Sequence, residues 1–518
     1  MKNDKTRSLR SFYRPPTDGL DDTLHHALPR GARLRLEFSG ECARSYLDSF
    51  DWRYWNGNEV LELIEAEGRR WLELRLAGEG APEATQNVTR VPVLAADLPF
   101  GAIGHRMGAV LDIRALMLVR ALRSTVRRWA LCDAEGKTLL RVEWRADRAG
   151  RSSLPPLLRF EPLRGYEKKA AQWADHLVRE LGLTPLEEEP LLSATRRSRR
   201  RPGDYDGKLK VALHAEMRTD AALRTLLGTL MDTMRANESG CIKRWDIEFV
   251  HDFRVAVRRA RSLLSAVKGA LPETRQRQFS DGLRWLQDVT GDPRDLDVYL
   301  LDFDHFGTRL SAKDMRALAP FREFLEERHA LAYSELRSAL GSERYRRFMD
   351  SARTYLESTL PRSSRLPNAL RPAREMADER IWKTYRWVVK HGRAISPHSP
   401  NDDLHDVRKR CKRLRYLLEA FRSLYPDDEI NGMIKALKRL QEVLGDFQDR
   451  EVQYTTIYRY EEEMSKAGIL TPRTAKAMER LATGFHQEQG EIRKDFQGRF
   501  EAFASADNAQ RFRGLFKS

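Results

Sequence analysis

Two histidine–aspartate pairs, His251-Asp252 and His405-Asp406, each head a row of cations. Arg254, Arg258 and Arg261 follow the first; Arg408, Lys412 and Arg415 follow the second. At about 100° per residue, each row falls within roughly 80° of one helix face. Neither row contains an acid. Solvated helix faces ordinarily interleave Glu with Lys or Arg. Cations at i, i+4 and i+7 repel one another unless an anion or a buried carboxylate compensates them. The chemistry expected of such a face is to hold the oxyanions of a linear or clustered polyanion. His251 and His405 would donate from the helix starts, more strongly when protonated. His-Asp pairs also occur as metal ligands in phosphohydrolases. Such a site needs further histidine and aspartate ligands, and the adjacent arginines oppose a dication, so no metal, cofactor or catalytic residue is assigned here.

The helices that must carry these rows are amphipathic. Phe253, Val257, Ala260, Leu263, Leu264 and Val267 lie opposite the first row, and Val407, Leu414, Leu417, Leu418 and Phe421 opposite the second. The rows are copies of each other. At an offset of 154 residues, HDFRVAVRRARSLL (251–264) matches HDVRKRCKRLRYLL (405–418), and LQDVTGDPRDLDV (286–298) matches LQEVLGDFQDREV (440–452). One unit of about 150 residues is used twice. In the downstream motif Gln287, Asp292 and Asp295 correspond to Gln441, Asp446 and Asp449. Two roles are open for these six. They can orient the arginines as a supporting layer of acceptors, or Gly-Asp can start a helix. Arg259, Arg413, Arg284 and Lys438 are further candidate contacts for the polyanion.

A chain of 518 residues with a net charge of +16 is long enough for two or three domains and suggests a polyanionic partner. Cys42, Cys132, Cys241 and Cys411 form no C-x-x-C pair, which fits a reducing compartment. No apolar run approaches the ~20 residues of a membrane span, and the N-terminus has no apolar core of a signal peptide. The expectation is a cytoplasmic protein without a membrane partner.

Residues 1–29 are polar and read as a flexible lead-in. From 30 to about 165 the hydrophobic period is close to two. Val60–Ile64 and Trp71–Leu76 flank Glu67-Gly68, and Arg127–Leu131 and Thr138–Trp144 flank Asp133–Gly136, a pattern of antiparallel hairpins. Leu157–Leu163 reads as another strand, and Glu167–Leu181 as a helix stopped by Gly182. A first domain of 30–186 would be followed by a charged linker, 187–207, running from Glu187-Glu188-Glu189-Pro190 to Arg196–Gly203. Beyond 208 the period is helical almost throughout. There is no G-x-x-x-x-G-K-[ST] loop and no G-x-S-x-G elbow. Charge alone admits nucleic acid as a partner, but Trp245 and Tyr416 are isolated and make no stacking platform between the cations.

The double H-D-x-R-x3-[RK]-R-x-R motif, each copy followed by L-Q-x-x-x-G-D-x-x-D, resembles the CHAD family, the conserved histidine α-helical domain, over roughly 208–510. That resemblance implies two pseudo-symmetric four-helix bundles, about 208–360 and 361–510, whose basic helices face a central groove. It also implies binding of inorganic polyphosphate and association with polyphosphate granules. The first domain resembles a CYTH domain, the triphosphate-tunnel fold: Arg120, Arg123 and Arg127-Arg128-Trp129 are similar to its basic strand, and Glu143 and Asp147 to the next. Where that family carries the metal-binding E-x-E-x-K, the segment assigned here reads Arg33-Leu34-Arg35-Leu36-Glu37, and the late E-x-E strand is reduced to Glu161-Pro162. The expected fold is therefore α+β and multidomain, a degenerate CYTH-like β-rich domain before an all-α CHAD domain. Metal-dependent hydrolysis of triphosphate or polyphosphate in the β domain is the alternative function, and nucleic-acid binding the second.

Overall fold

The computed structural model describes residues 9, 11–15, 20–98 and 100–517. The chain divides into two compact units, Met1–Gly207 and Lys208–Ser518.

The first unit is one antiparallel sheet. Its strands are β1 (Tyr13–Arg14), β2 (Arg33–Ser49), β3 (Glu59–Ala66), β4 (Arg69–Leu76), β5 (Ala84–Asn87), β6 (Leu116–Cys132), β7 (Thr138–Ala149), β8 (Ser152–Ser153), β9 (Leu157–Pro162) and β10 (Thr184–Pro185), in the order β10-β1-β9-β7-β6-β2-β3-β4-β5 with β8 on β7. The β3–β4 turn places Glu67 and Gly68 at positive φ, as an acid–Gly hairpin turn requires. Alternation sends one set of side chains to an apolar face. Leu140, Val142, Leu158 and Phe160 pack there under the helix Glu167–Glu180, and Leu61, Leu63, Leu72 and Leu74 under Ala102–Leu111.

The opposite face is charged and buried, because the sheet curls. Arg159 on β9 bonds Glu73 on β4 at 2.9 Å, although four strands separate them in the sheet. Glu62, Glu73 and Arg75, which alternate with Leu61, Leu63, Leu72 and Leu74, are buried on this face.

Two expectations for this unit are corrected. Of residues 1–29, positions 1–8, 10 and 16–19 lie outside the described residues, but Leu9, Phe12 and Tyr13 are buried and Leu20–His26 is helical. The 187–207 segment is tied to the sheet. Glu189 caps the helix Pro190–Thr195, accepting from Leu191 N, and both its oxygens bond Arg75, at 2.5 and 2.9 Å. Arg200 lies over Phe50 and Trp52, and Trp52 donates to Asp204 at 2.7 Å. Glu189 and Arg200 anchor the segment in this way, whereas Glu187, Glu188, Arg196, Arg197, Arg199 and Arg201 are exposed, as charge blocks ordinarily are.

The second unit is all-helical. Thr219–Lys243, Glu248–Ala266, Glu273–Val289, Gly291–Phe303, Ala319–Leu340 and Glu343–Glu357 are the main helices of the first copy. Ala373–Arg393, Asn401–Ala420, Asp427–Lys466, Pro472–Phe503 and Ala506–Phe516 form the second. The copies differ at the downstream motif. Pro293 lacks an N–H and is tolerated in the first turn of a helix but not in its interior, so the first copy breaks at Thr290 and a new helix starts at Gly291. Phe447 stands at the equivalent position and Asp427–Lys466 runs unbroken. The copies also share a core: Tyr299, Phe303 and Phe321 pack with Tyr460, Met478 and Phe485. All four cysteines are buried and free, and no helix among the described residues is long and apolar enough to cross a membrane.

Candidate functional site

The two cationic rows lie on the helices Glu248–Ala266 and Asn401–Ala420, which pack against each other. Their apolar faces, with Phe253, Val257, Ala260 and Leu264 on one and Val407, Leu414 and Leu418 on the other, are buried. That burial turns the cationic faces outward and fixes where they meet.

The meeting is pseudo-two-fold. Arg259 donates to Glu419 at 3.0 Å, and its copy Arg413 donates to the carbonyl of Ser265 at 2.9 Å. Residue 265 plus the repeat offset is residue 419, so each arginine reaches the same position of the other helix. Arg259 and Arg413 thus join the helices across the repeat. Glu419 also lies 3.6 Å from Arg415.

Arg254 and Arg408 are held equivalently as well. Arg254 lies over Gly291 and donates to the Gln287 carbonyl at 2.6 Å; Arg408 lies over Gly445 and bonds Asp449 at 3.1 Å. Asp295, the copy of Asp449, attracts Arg254 electrostatically. Arg261 donates to the Gln287 side chain. Its copy has no such bond: Gln441 is buried with neither side-chain polar atom bonded. Within the downstream motif Gln287 and Asp449 bond arginines of the rows, Asp295 acts on Arg254 through its charge, and Gln441 bonds none. Helix starting fits the first copy only. Asp292 stands in the first turn of Gly291–Phe303, whereas Asp446 is exposed in mid-helix.

Arg258 and its copy Lys412 stand apart from the others. Neither has a hydrogen bond or ion pair among the described residues, and the Arg258 Nε is buried without a partner. Both are half-buried. They act on one another across the repeat boundary. Burial, then repulsion from Arg408 and Arg258, pushes the Lys412 ammonium down to about 7. Burial also lowers Arg254 and Arg408, with Arg258 adding repulsion to each and Asp295 and Asp449 opposing it. Burial is the first cause of each shift, and repulsion among these cations adds to it.

The remaining candidates fall at the periphery. Arg284 and Lys438 are exposed on the next helix of each copy. His405 is hydrogen-bonded to Gln448. Ligand atoms of His251, Glu248 and Asp252 come within 4.8 Å of one another, with Arg294 3.6 Å from Glu248.

The β unit holds a second cluster that the sequence did not single out, apart from Glu143 and Asp147. Arg44 bonds Glu62 at 3.1 Å and Glu143 at 2.9 Å; Arg145 bonds Glu62 at 3.3 Å and Asp147 at 3.1 Å; Arg159 bonds Glu143 at 2.9 Å. Arg75 joins Glu62, at 3.1 Å, to Glu189. All are nearly inaccessible to solvent. Burial would raise Glu62, but Arg145, Arg75, Arg44 and Arg159 hold it well below the usual carboxylate range. Each carboxylate is engaged by arginine, so this interior does not offer a carboxylate set open to Mg2+. Arg33–Glu37, assigned to metal-site erosion in sequence, lies elsewhere. Arg35 is exposed and bonds Glu37 at 3.2 Å, and Glu37 holds Arg141 at 2.8 Å. The alternation in Leu61-Glu62-Leu63 and Leu72-Glu73-Leu74-Arg75 was the available signal.

Residues 225–457 match the CHAD domain family model. An uncharacterized protein of Mycobacterium tuberculosis, Rv2226, is 29% identical over 214 residues, covering 39% of this chain and 38% of the relative, and MT2285 from another strain matches equally. The chain thus spans about two fifths of the length of the curated relatives it matches. Two solved structures are similar. The CHAD domain from the plant Ricinus communis has TM-score 0.49 and 24% identity over 59% of this chain and 98% of that one. PptA from Streptomyces chartreusis has TM-score 0.41 and 20% identity over 55% and 100%. The doubled basic motif and the family match together identify residues 225–457 of this chain as a CHAD domain.

Proposed function

We propose that the helical unit binds inorganic polyphosphate in a basic groove between the two repeated helices. A CHAD domain implies that ligand. The observation that carries the reading is the pair Arg258 and Lys412, equivalent residues of the two copies that sense each other's charge and have no carboxylate partner. A polymer carrying about one negative charge per phosphate would supply the missing compensation. Arg254, Arg261, Arg408 and Arg415 would flank it, already oriented by Gln287, Asp449 and Glu419. His251, His405, Arg284 and Lys438 would extend the contact at its margins, and Arg259 and Arg413 would hold the groove's two walls together.

Competition between long-chain polyphosphate and double-stranded DNA at equal charge concentration tests this. Polyphosphate should displace DNA at a small fraction of that concentration. Equal displacement would make the groove a general polyanion surface.

A further inference from the structure

We propose that Lys412 is a site of chemical acylation by acyl phosphates, small anions that present a reactive carbonyl on a phosphate. This rests on the phosphate-binding reading of the groove. Three observations converge on the residue. Its ammonium has no hydrogen bond or ion pair among the described residues. It is half-buried, on the same face of the helix Asn401–Ala420 as Arg408 and Arg415, which stand four residues before it and three after. And the charges that face it are mostly cations: Arg408 and Arg415 from its own helix and Arg258 from the first repeat, with Asp449 from the following helix opposing them. A lysine desolvated beside other cations is a nucleophile near neutral pH.

Other lysines lack this setting. Lys409 is paired with Asp406 at 2.9 Å, Lys466 with Glu462 at 2.6 Å and Lys494 with Glu491 at 2.6 Å. Each of these ammonium groups bonds a carboxylate, and that of Lys412 does not.

The step balances without an oxidant. The Lys412 Nζ electron pair attacks the acyl carbon, and an N–C bond forms as the carbon–oxygen bond to phosphorus breaks. The bonding pair leaves on inorganic phosphate, and the amine proton passes to that phosphate or to water. Arg258 and Arg408 would hold the phosphate before and after. The product amide cannot be protonated near neutral pH, so acylation removes one of the two uncompensated cations and weakens the grip on a polyanion.

The test treats the full chain at pH 7.5 with acetyl phosphate and, in parallel, with the N-hydroxysuccinimide ester of acetic acid, which carries no phosphate. Peptide mass spectrometry reads the rate at each lysine. With acetyl phosphate, Lys412 should react at least tenfold faster than Lys409 or Lys466, inorganic phosphate should slow it, and Lys412→Arg should remove the modified peptide. With the ester, Lys412 should also lead, unaffected by phosphate. A Lys412 rate no greater than that of Lys466 with either reagent overturns the proposal. Polyphosphate affinity of the unmodified chain, measured alongside, separates the two readings. Intact binding with an inert Lys412 removes only the acylation site, whereas a reactive Lys412 in a chain that binds no polyphosphate removes the groove.

Discussion

The interior of the β unit and the paired cationic faces of the helical unit are both built from arginines, yet they are electrostatic opposites. In the first, Arg44, Arg75, Arg145 and Arg159 meet Glu62, Glu73, Glu143, Asp147 and Glu189 at bonding distance on a dry surface. In the second, acceptors orient the outer arginines and leave Arg258 and Lys412 without a bond. The number of arginines therefore says little about anion binding. What decides it is whether the fold supplies a carboxylate to each. A paired, buried guanidinium contributes to structure, and one left unpaired is available to a ligand.

The largest effect should come from breaking the paired cluster. Glu143→Gln leaves Arg44, Arg128 and Arg159 short of an acceptor and should cost about 3–5 kcal/mol of stability in the β unit. Calorimetry would show the loss, while polyphosphate affinity below the transition should hold. The same cluster sets an acid limit. Glu62, Glu73 and Glu143 have folded-state affinities for protons below the unfolded ones, so their contribution is present above the ordinary glutamate range near 4.3 and is lost as pH falls below it. An acid transition absent from the β-sheet circular dichroism signal would count against a stabilising network.

Charge reversal in the groove comes next. Arg258→Glu and Lys412→Glu should each weaken polyphosphate binding by about 2 kcal/mol or more, with the double variant near background and folding intact. Lys466→Glu, outside the groove, should change little. A single reversal that abolishes binding while its copy does nothing would reduce the site to one repeat.

Salt dependence should follow the number of uncompensated cations. By analogy with counterion release on nucleic acids, the log–log slope of affinity against salt should be several units. An affinity indifferent to salt between low and physiological ionic strength would rule out a groove of this kind.

The smallest effect sharpens the comparison most. Lys412 has a folded affinity for protons below its unfolded one, so the unfolded chain binds more protons between pH 7 and the ordinary lysine range, and stability rises with pH across that window. Lys412→Met should therefore stabilise the unit at pH 7, by about 1 kcal/mol, while weakening binding, the trade expected where function holds a strained charge. Polyphosphate binding at pH 8 should also take up a proton, read as a dependence of binding heat on the buffer's ionisation enthalpy. Destabilisation by Lys412→Met would show that the cation is compensated after all.

Sequence by itself determined everything local in period. The offset of 154 residues, the cation rows, the apolar faces behind them and the hairpins around Glu67-Gly68 and Asp133–Gly136 are spacings along one element, and helix and strand geometry convert such spacing directly into faces. Only the tertiary structure decided which charges are compensated. Arg259 and Arg258 are neighbours of identical type; one meets Glu419, 160 residues away, and the other has no hydrogen bond or ion pair among the described residues. Glu62 and Glu73 alternate with leucines as solvent-facing residues do, and become interior because the sheet curls far enough to bring β9 onto β4. Glu189 reads as part of an acidic linker and becomes buried because Arg75, 114 positions earlier, waits for it. The physical reason is common to all three: a charge's state depends on what lies within a few ångströms, and those neighbours come from parts of the chain that no local pattern connects.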